Sequence, residues 1–255
     1  MQSLVQEFYQ DYYEQVFCGR GISGRSYSLT HRLVESSYKK VLKGSRRYEK
    51  ETPKEMASDL DILEIGAGKG EHLPYVSGDF RSYTCLDLFN EPEEWVGSEN
   101  PRVEWLVADI AKYNFNGKKF DRIIIMCVLH HIENLFDALV NINEILKPGG
   151  YITLFLPSDP GILNRINRRF FVTPKSKKLG FSQYDLVNAL EHHNHYWGIK
   201  TLITNIFVQS EIRTSYYPLN LKSANLSLFS IWNIYLPQDK KILKSPKILG
   251  VGESL

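Results

Sequence analysis

Between Asp61 and Gly70 the chain reads Asp-Ile-Leu-Glu-Ile-Gly-Ala-Gly-Lys-Gly, an apolar run that breaks into glycines at alternate positions. Asp61 to Ile65 predicts a short buried strand. Gly66, Gly68 and Gly70 then let the backbone turn sharply and approach a ligand with no Cβ in the way. The spacing is not the Gly-x-Gly-x-x-Gly of a dinucleotide fingerprint, and it lacks the Gly-Lys-Ser/Thr ending of a phosphate loop. An acid, Glu64, precedes the first glycine. A second acid, Asp87, closes the next strand-like run, Tyr83 to Leu88. Roughly twenty residues from a glycine turn to an acid at a strand end is the separation at which a carboxylate holds a ribose diol in a doubly wound sheet.

The pattern continues. Val103 to Ile110 is another strand-like run, ending in Asp109, an acid placed to meet an adenine amino group. Phe120 to Cys127 is a β-rich apolar run that opens into Val128-Leu129-His130-His131-Ile132. A helix is expected next, ending in Leu146-Lys147-Pro148-Gly149-Gly150, and then a fifth strand, Tyr151 to Leu156. In this order and spacing, residues 61–156 resemble the core of class I S-adenosylmethionine-dependent methyltransferases. The resemblance implies a Rossmann-like α/β fold: a doubly wound, mostly parallel seven-stranded sheet with the last strand antiparallel and helices on both faces. It implies that Glu64, Gly66, Ala67 and Gly68 cradle the methionine part of S-adenosylmethionine. Asp87, with Leu88 beside it, would take the ribose, Asp109 and Ile110 would bracket the adenine, and Cys127 to His130 would lie beside the sulfonium.

Composition narrows the partners. A chain of 255 residues suits one α/β domain with additions. Its net charge of +2 makes no general case for nucleic acid. Cys18, Cys85 and Cys127 are widely spaced and read as thiols of a reducing compartment, with no metal-ligand spacing, so no metal is expected. The first residues lack the basic start and apolar run of a secretory signal, and no apolar stretch reaches the ~18 residues of a membrane span. A cytoplasmic protein is expected, with a homodimer left open. We divide its single globular domain into an N-terminal helical lid and acceptor segment (1–50), the cofactor core (51–157), a basic insertion with a helix and the last strands (158–240), and a weakly ordered tail (241–255).

Residues outside the core give the acceptor candidates. An aromatic helix over 2–17 carries Tyr13, as core packing or as a lid. A glycine-rich loop follows, containing Arg25 and reaching Tyr27, and Ser28 or Thr30 caps a helix with His31, so that Tyr27 and His31 flank any pocket the loop closes. Between 160 and 184 there are six cations and no acid, and Arg165, Arg168 and Arg169 would share a helix face as an anion clamp, or else form plain basic surface. A helix from Ser182 to Tyr196 would end in His192, His193 and His195. Two strands are expected after it, Lys200–Tyr217 with a break and Leu226–Leu236.

Methyl transfer needs alignment and exclusion of water. A hydroxyl acceptor also needs a base, for which His130 is the candidate, whereas an oxyanion needs only positive groups. Asn/Asp-Pro-Pro-Tyr/Phe, typical of amide and exocyclic-amine methylation, is absent after the fourth strand. The expected acceptor is a small, anionic molecule, and no nucleic acid. The flanking segments loosely resemble those of bacterial enzymes that methylate saccharides or surface-polysaccharide precursors such as those of capsules. N-methylation of an amino sugar and a non-catalytic donor-binding protein are the alternatives.

Overall fold

A computed structural model of the protein describes residues 8, 24–43, 59–76 and 79–238. Seven strands form one sheet: β1 (Leu60–Ile65), β2 (Phe80–Asp87), β3 (Val103–Val107), β4 (Phe120–Met126), β5 (Leu146–Pro157), β6 (Glu211–Tyr217) and β7 (Phe229–Tyr235). Their order is β3-β2-β1-β4-β5-β7-β6. The first five pair in parallel, and β7 runs antiparallel between β5 and β6. This is the doubly wound sheet expected, with its one reversed strand.

Strand side chains alternate between faces, and both faces here are covered, which is why β1 and β4 read as nearly continuous apolar runs. On one face Leu63, Ile65, Ile123 and Ile125 pack against α2 (Leu135–Ile145) and α6 (Tyr196–Ile206). Leu135, Ala138, Leu139 and Ile142 recur at helical spacing to supply the α2 stripe. On the other face Ile62, Ile124 and Met126 meet Val34 of α1 (Gly24–Lys43). Truncating one such buried leucine or isoleucine to alanine costs about 2–5 kcal/mol. The registers Ile65↔Leu86 and Ile65↔Ile125 bring the carboxyl ends of β1, β2 and β4 level. Strand order reverses between β1 and β4, so the crevice where open α/β sheets bind ligands lies at the ends of these two strands.

Several boundaries differ from expectation. The helix begins at Gly24, so Ser28 and Thr30 lie within it and residues 24–27 are not loop. The Leu-Lys-Pro-Gly-Gly run does not end α2, which stops at Ile145, and instead opens β5. There Lys147 Nζ bonds Asp61 at 2.8 Å and Asp121 at 2.7 Å, tying together the starts of β1, β4 and β5. Residues 200–206 are helical, since Ile199, Ile203 and Ile206 bury one helix face, and only Glu211–Tyr217 of that stretch is strand. The run from Ser182 is shorter than expected: α5 spans Tyr184–Glu191, and Tyr196 starts the next helix.

Candidate active site

The glycine turn is bound to the end of β2. Gly66 N–H donates to Leu86 O at 2.7 Å, and Gly68 N–H donates to Asp87 Oδ2 at 3.1 Å. Gly66 takes φ +70°, and a Cβ there would fall 2.2 Å from Val128 Cγ2, so only glycine lets the turn pass the loop after β4. Val128 lies in the run that the resemblance sets beside the sulfonium. Asp87 also accepts Phe89 N–H at 3.2 Å. Burial raises its pKa above the usual carboxylate value, against the pull of these backbone donors. Two oxygens offer about four lone-pair sites, so acceptor capacity remains for a diol. Beside it Leu88 and Val107 expose apolar surface.

Glu64 and Asp109 make other contacts than the sequence reading assigned. The Glu64 carboxyl is buried and accepts the Tyr83 hydroxyl at 2.6 Å; burial pushes its pKa up to about 8, so it is largely neutral at pH 7. Asp109 holds its own turn, accepting Ala111 N–H at 2.9 Å and pairing with Lys112 at 3.1 Å. Ile110 is buried in the core behind it, and Ala67 is buried in the turn. At the end of β4, Cys127 is exposed and takes φ +58°, a left-handed conformation that costs a non-glycine residue about 1–3 kcal/mol. Strain of this kind clusters at ligand sites.

The next turn carries His130 and His131, and the structure adds His192 to them. Ring centroids lie 4.0 Å apart for His130 and His131 and 4.4 Å for His130 and His192. Asn194, which the sequence did not single out, fastens the two segments: its side chain donates to Leu129 O at 3.2 Å and Ile132 O at 2.6 Å. His131 Nδ1 donates to Glu191 O at 3.1 Å. His192 Nε2 meets Asn188 at 3.0 Å, and its Nδ1 faces Asp159 at 3.6 Å. One nitrogen from each of the three rings lies within 4.8 Å of the others, but His192 already has a protein group at each nitrogen. His130 differs. Its Nδ1 is buried and bonds nothing among the described residues. Burial, with the neighbouring histidines and Arg168, holds its pKa well below the ordinary imidazole value.

The remaining candidates separate. Arg168 turns inward to Asp159 at 2.7 Å, whereas Arg165 and Arg169 are exposed, so the three do not form one clamp. The acid lies one residue before the acid-free window read from sequence. Although burial opposes it, His192 and Arg168 bring the Asp159 carboxyl down to about 2. His195 precedes α6 and is exposed, outside the three-ring cluster. His31 is buried on α1 against His72, with 2.7 Å between their Nδ1 atoms. Tyr13 lies outside the described residues; Arg25 and Tyr27 fall in the first turn of α1, where the backbone alone is described.

Comparison with known proteins agrees with this geometry. Residues 63–154 match a family described as a methyltransferase domain. The highly reducing polyketide synthase verA of Penicillium polonicum is 30% identical over 107 residues, 37% of this chain and 4% of that protein. The chain spans only 3–4% of the length of the first such relatives. Among solved structures, the plantazolicin methyltransferase BpumL, bound to a pentazolic desmethylPZN analog and SAH, superposes with a TM-score of 0.62. It is 16% identical, over 92% of this chain and 95% of that one. A Burkholderia thailandensis 1,6-didemethyltoxoflavin-N1-methyltransferase gives 0.53, also at 16% identity, over 92% and 87%. These structural likenesses speak to the fold. Through the family match, residues 63–154 form a methyltransferase domain, carried on a sheet with the glycine turn and Asp87 at its switch point.

Proposed function

We propose that the protein transfers a methyl group from S-adenosylmethionine to the hydroxyl of a small acceptor molecule. The observation that carries the acceptor half is His130, an imidazole buried in the turn after β4 with its Nδ1 bonded to nothing among the described residues. Buried polar atoms in native proteins nearly always have partners, and an exception calls for a ligand or a chemical role.

The residues present fit the donor. Asp87 keeps acceptor capacity for the ribose diol, and the exposed Leu88 and Val107 offer apolar surface to a purine. The cradle between Gly66 and Val128 leaves no room for a further side chain. When bound, the donor supplies an already activated methyl group. The chain's part is to hold the acceptor hydroxyl in line, exclude water and receive its proton. His130 is neutral at physiological pH and so has a free lone pair for that proton. Asp159, His192 and Asn194 fix the wall around it. A saccharide precursor is the acceptor class to try first, on the loose likeness of the flanking segments.

The donor half is tested by calorimetry with S-adenosylmethionine and its demethylated product. Replacing Asp87 by alanine removes charged hydrogen bonds worth about 1.5–3 kcal/mol, so donor affinity should fall roughly ten- to a hundredfold. Unchanged affinity in a folded Asp87→Ala protein would remove Asp87 from the donor site. Mass spectrometry after incubation with hydroxyl-bearing candidates then tests the acceptor half, and a methyl group found on nitrogen alone would overturn the reading.

A further inference from the structure

After β5 the chain runs as an unbroken helical ridge: α3 (Ile162–Asn167), a π-helical segment (Arg168–Val172) and α4 (Thr173–Lys178). Its two sides differ sharply. Arg168, Val172 and Ser176 recur every four residues and turn inward, where Arg168 pairs with Asp159 and Ser176 Oγ bonds Val172 O at 3.0 Å. Ile162, Ile166 and Phe170, also four apart, turn outward together with Phe171 and, just past the ridge, Leu179. Phe170 and Phe171 leave 66% and 67% of their surface in water. Single exposed apolar residues need no explanation, but four on one short ridge with a fifth just past it do.

Cations share that outward side. Arg165 and Arg169 sit between the apolar positions, and Lys177 and Lys178 follow, all exposed. Residues 160–184 hold no acid, and the next one, Asp185, is taken by Thr173 Oγ1 at 2.8 Å. Because the whole chain carries only +2, the rest of the molecule is net acidic when taken together, with a second basic run at Lys39 to Arg47. Lysines, such as Lys177 and Lys178 on this side, are depleted at protein–protein interfaces. Here arginines are interleaved with the apolar side chains, as in helices that lie at a lipid boundary: rings and branched chains enter the acyl edge, and guanidinium heads reach back to phosphate.

We propose that the outward side of residues 162–179 docks on an anionic phospholipid surface, with Ile162, Ile166, Phe170 and Phe171 inserted and Arg165, Arg169, Lys177 and Lys178 at the headgroups. No helix among the described residues is long and apolar enough to cross a membrane, so the contact is interfacial. It is independent of which acceptor is methylated.

The test is co-sedimentation of the full chain with vesicles of phosphatidylcholine alone and of phosphatidylcholine mixed with phosphatidylglycerol. The expected result is binding to the mixed vesicles that weakens as salt is added. Arg165→Gln with Arg169→Gln should weaken it roughly tenfold or more, because each basic residue near an anionic surface contributes about fivefold. Phe170→Ser with Phe171→Ser should remove it, while donor affinity by calorimetry and the thermal melt stay as in the parent. Equal binding to both vesicle types, or binding indifferent to the phenylalanines, overturns the proposal. Absence of binding to either vesicle also overturns it and leaves an acidic protein as the partner of this side. A fall in sedimentation mass on Phe170→Ser with Phe171→Ser, without lipid, overturns it in favour of a second copy of the chain.

Discussion

Two groups of histidines lie buried or half-buried in this molecule, and they are built in opposite ways. Under α1, His72 Nε2 meets Glu35 at 3.0 Å, and Glu35 takes Arg122 at 2.6 Å, with the Tyr38 ring 3.7 Å from the guanidinium. His31 adds to this group, stacked on Tyr75. Charge there is paired: burial opposes ionisation of Glu35, but Arg122 and His72 hold it below the usual carboxylate range. In the other group, after β4, the three imidazoles touch one another. Its one carboxylate, Asp159, is already held by Arg168, and His130 Nδ1 has no partner among the described residues. The first group pairs its charges and fastens a helix to the sheet, although Arg122 Nε finds no hydrogen-bond partner among the described residues. The second leaves one nitrogen open beside the switch point. Burial alone does not separate structural from chemical histidines; the Glu35–Arg122 ion pair beside the first group has no counterpart bonded to His130 Nδ1 among the described residues.

The largest effect that could break this contrast is in the first group. Glu35→Ala strands Arg122 as an unpaired buried charge, which costs about 3–5 kcal/mol. Chemical denaturation should show that loss, and Glu35→Gln with Arg122→Met should recover much of it, since removing both charges removes the desolvation penalty as well. If Glu35→Ala melts like the parent, the pair is not what holds α1. His130→Asn should do the reverse. Stability should hardly change, donor affinity should persist, and kcat on a hydroxyl acceptor should fall about a hundredfold, the low end for a lost general base. Because His130 titrates well below 6.5, the parent's rate should be flat through neutral pH and decline only in acid. A near-normal Asn variant would make His130 a hydrogen-bonding wall and not a base.

What the sequence disclosed and what it hid follow from range. The glycine turn, the strand end at Asp87 and the sheet itself were legible because each rests on a local run of strand formers ended by turn residues, whereas the third strand stops at Val107, two residues short of Asp109. Residues 200–206 of the helix over Tyr196–Ile206 were misread as strand because isoleucines are good strand formers, although Ile199, Ile203 and Ile206 keep helical spacing. The histidines were beyond local reading. His131 meets the carbonyl of Glu191 sixty residues on, and His72 meets Glu35 thirty-seven residues back. Nothing in the neighbouring residues tells His192, which joins the cluster, from His195, which is exposed. Arg168 was the near miss, since its partner Asp159 stood one position outside the window searched for acids.

The smallest effect compares the two groups directly through pH. Burial and a neighbouring imidazole bring His31 and His131 each to about 3. Folded, both stay neutral where the unfolded chain takes up a proton near pH 6.5. The unfolded state therefore binds more protons below 6.5, and stability must fall as pH drops from there toward 3. Each such histidine contributes a slope of up to about 1.4 kcal/mol per pH unit. His131→Gln should remove one such share of the slope and change stability at pH 7.5 less than His31→Gln does, since its bond to Glu191 O lies at a half-buried position. His31→Gln should remove the same share but also lower stability at pH 7.5, because His72 Nδ1 loses a neighbour at 2.7 Å inside the first group. Equal behaviour of the two variants at both pH values would erase the distinction between the groups. A slope untouched by His131→Gln would mean that this imidazole is protonated in the folded protein, and the site after β4 would then carry positive charge suited to an anionic acceptor that needs no base.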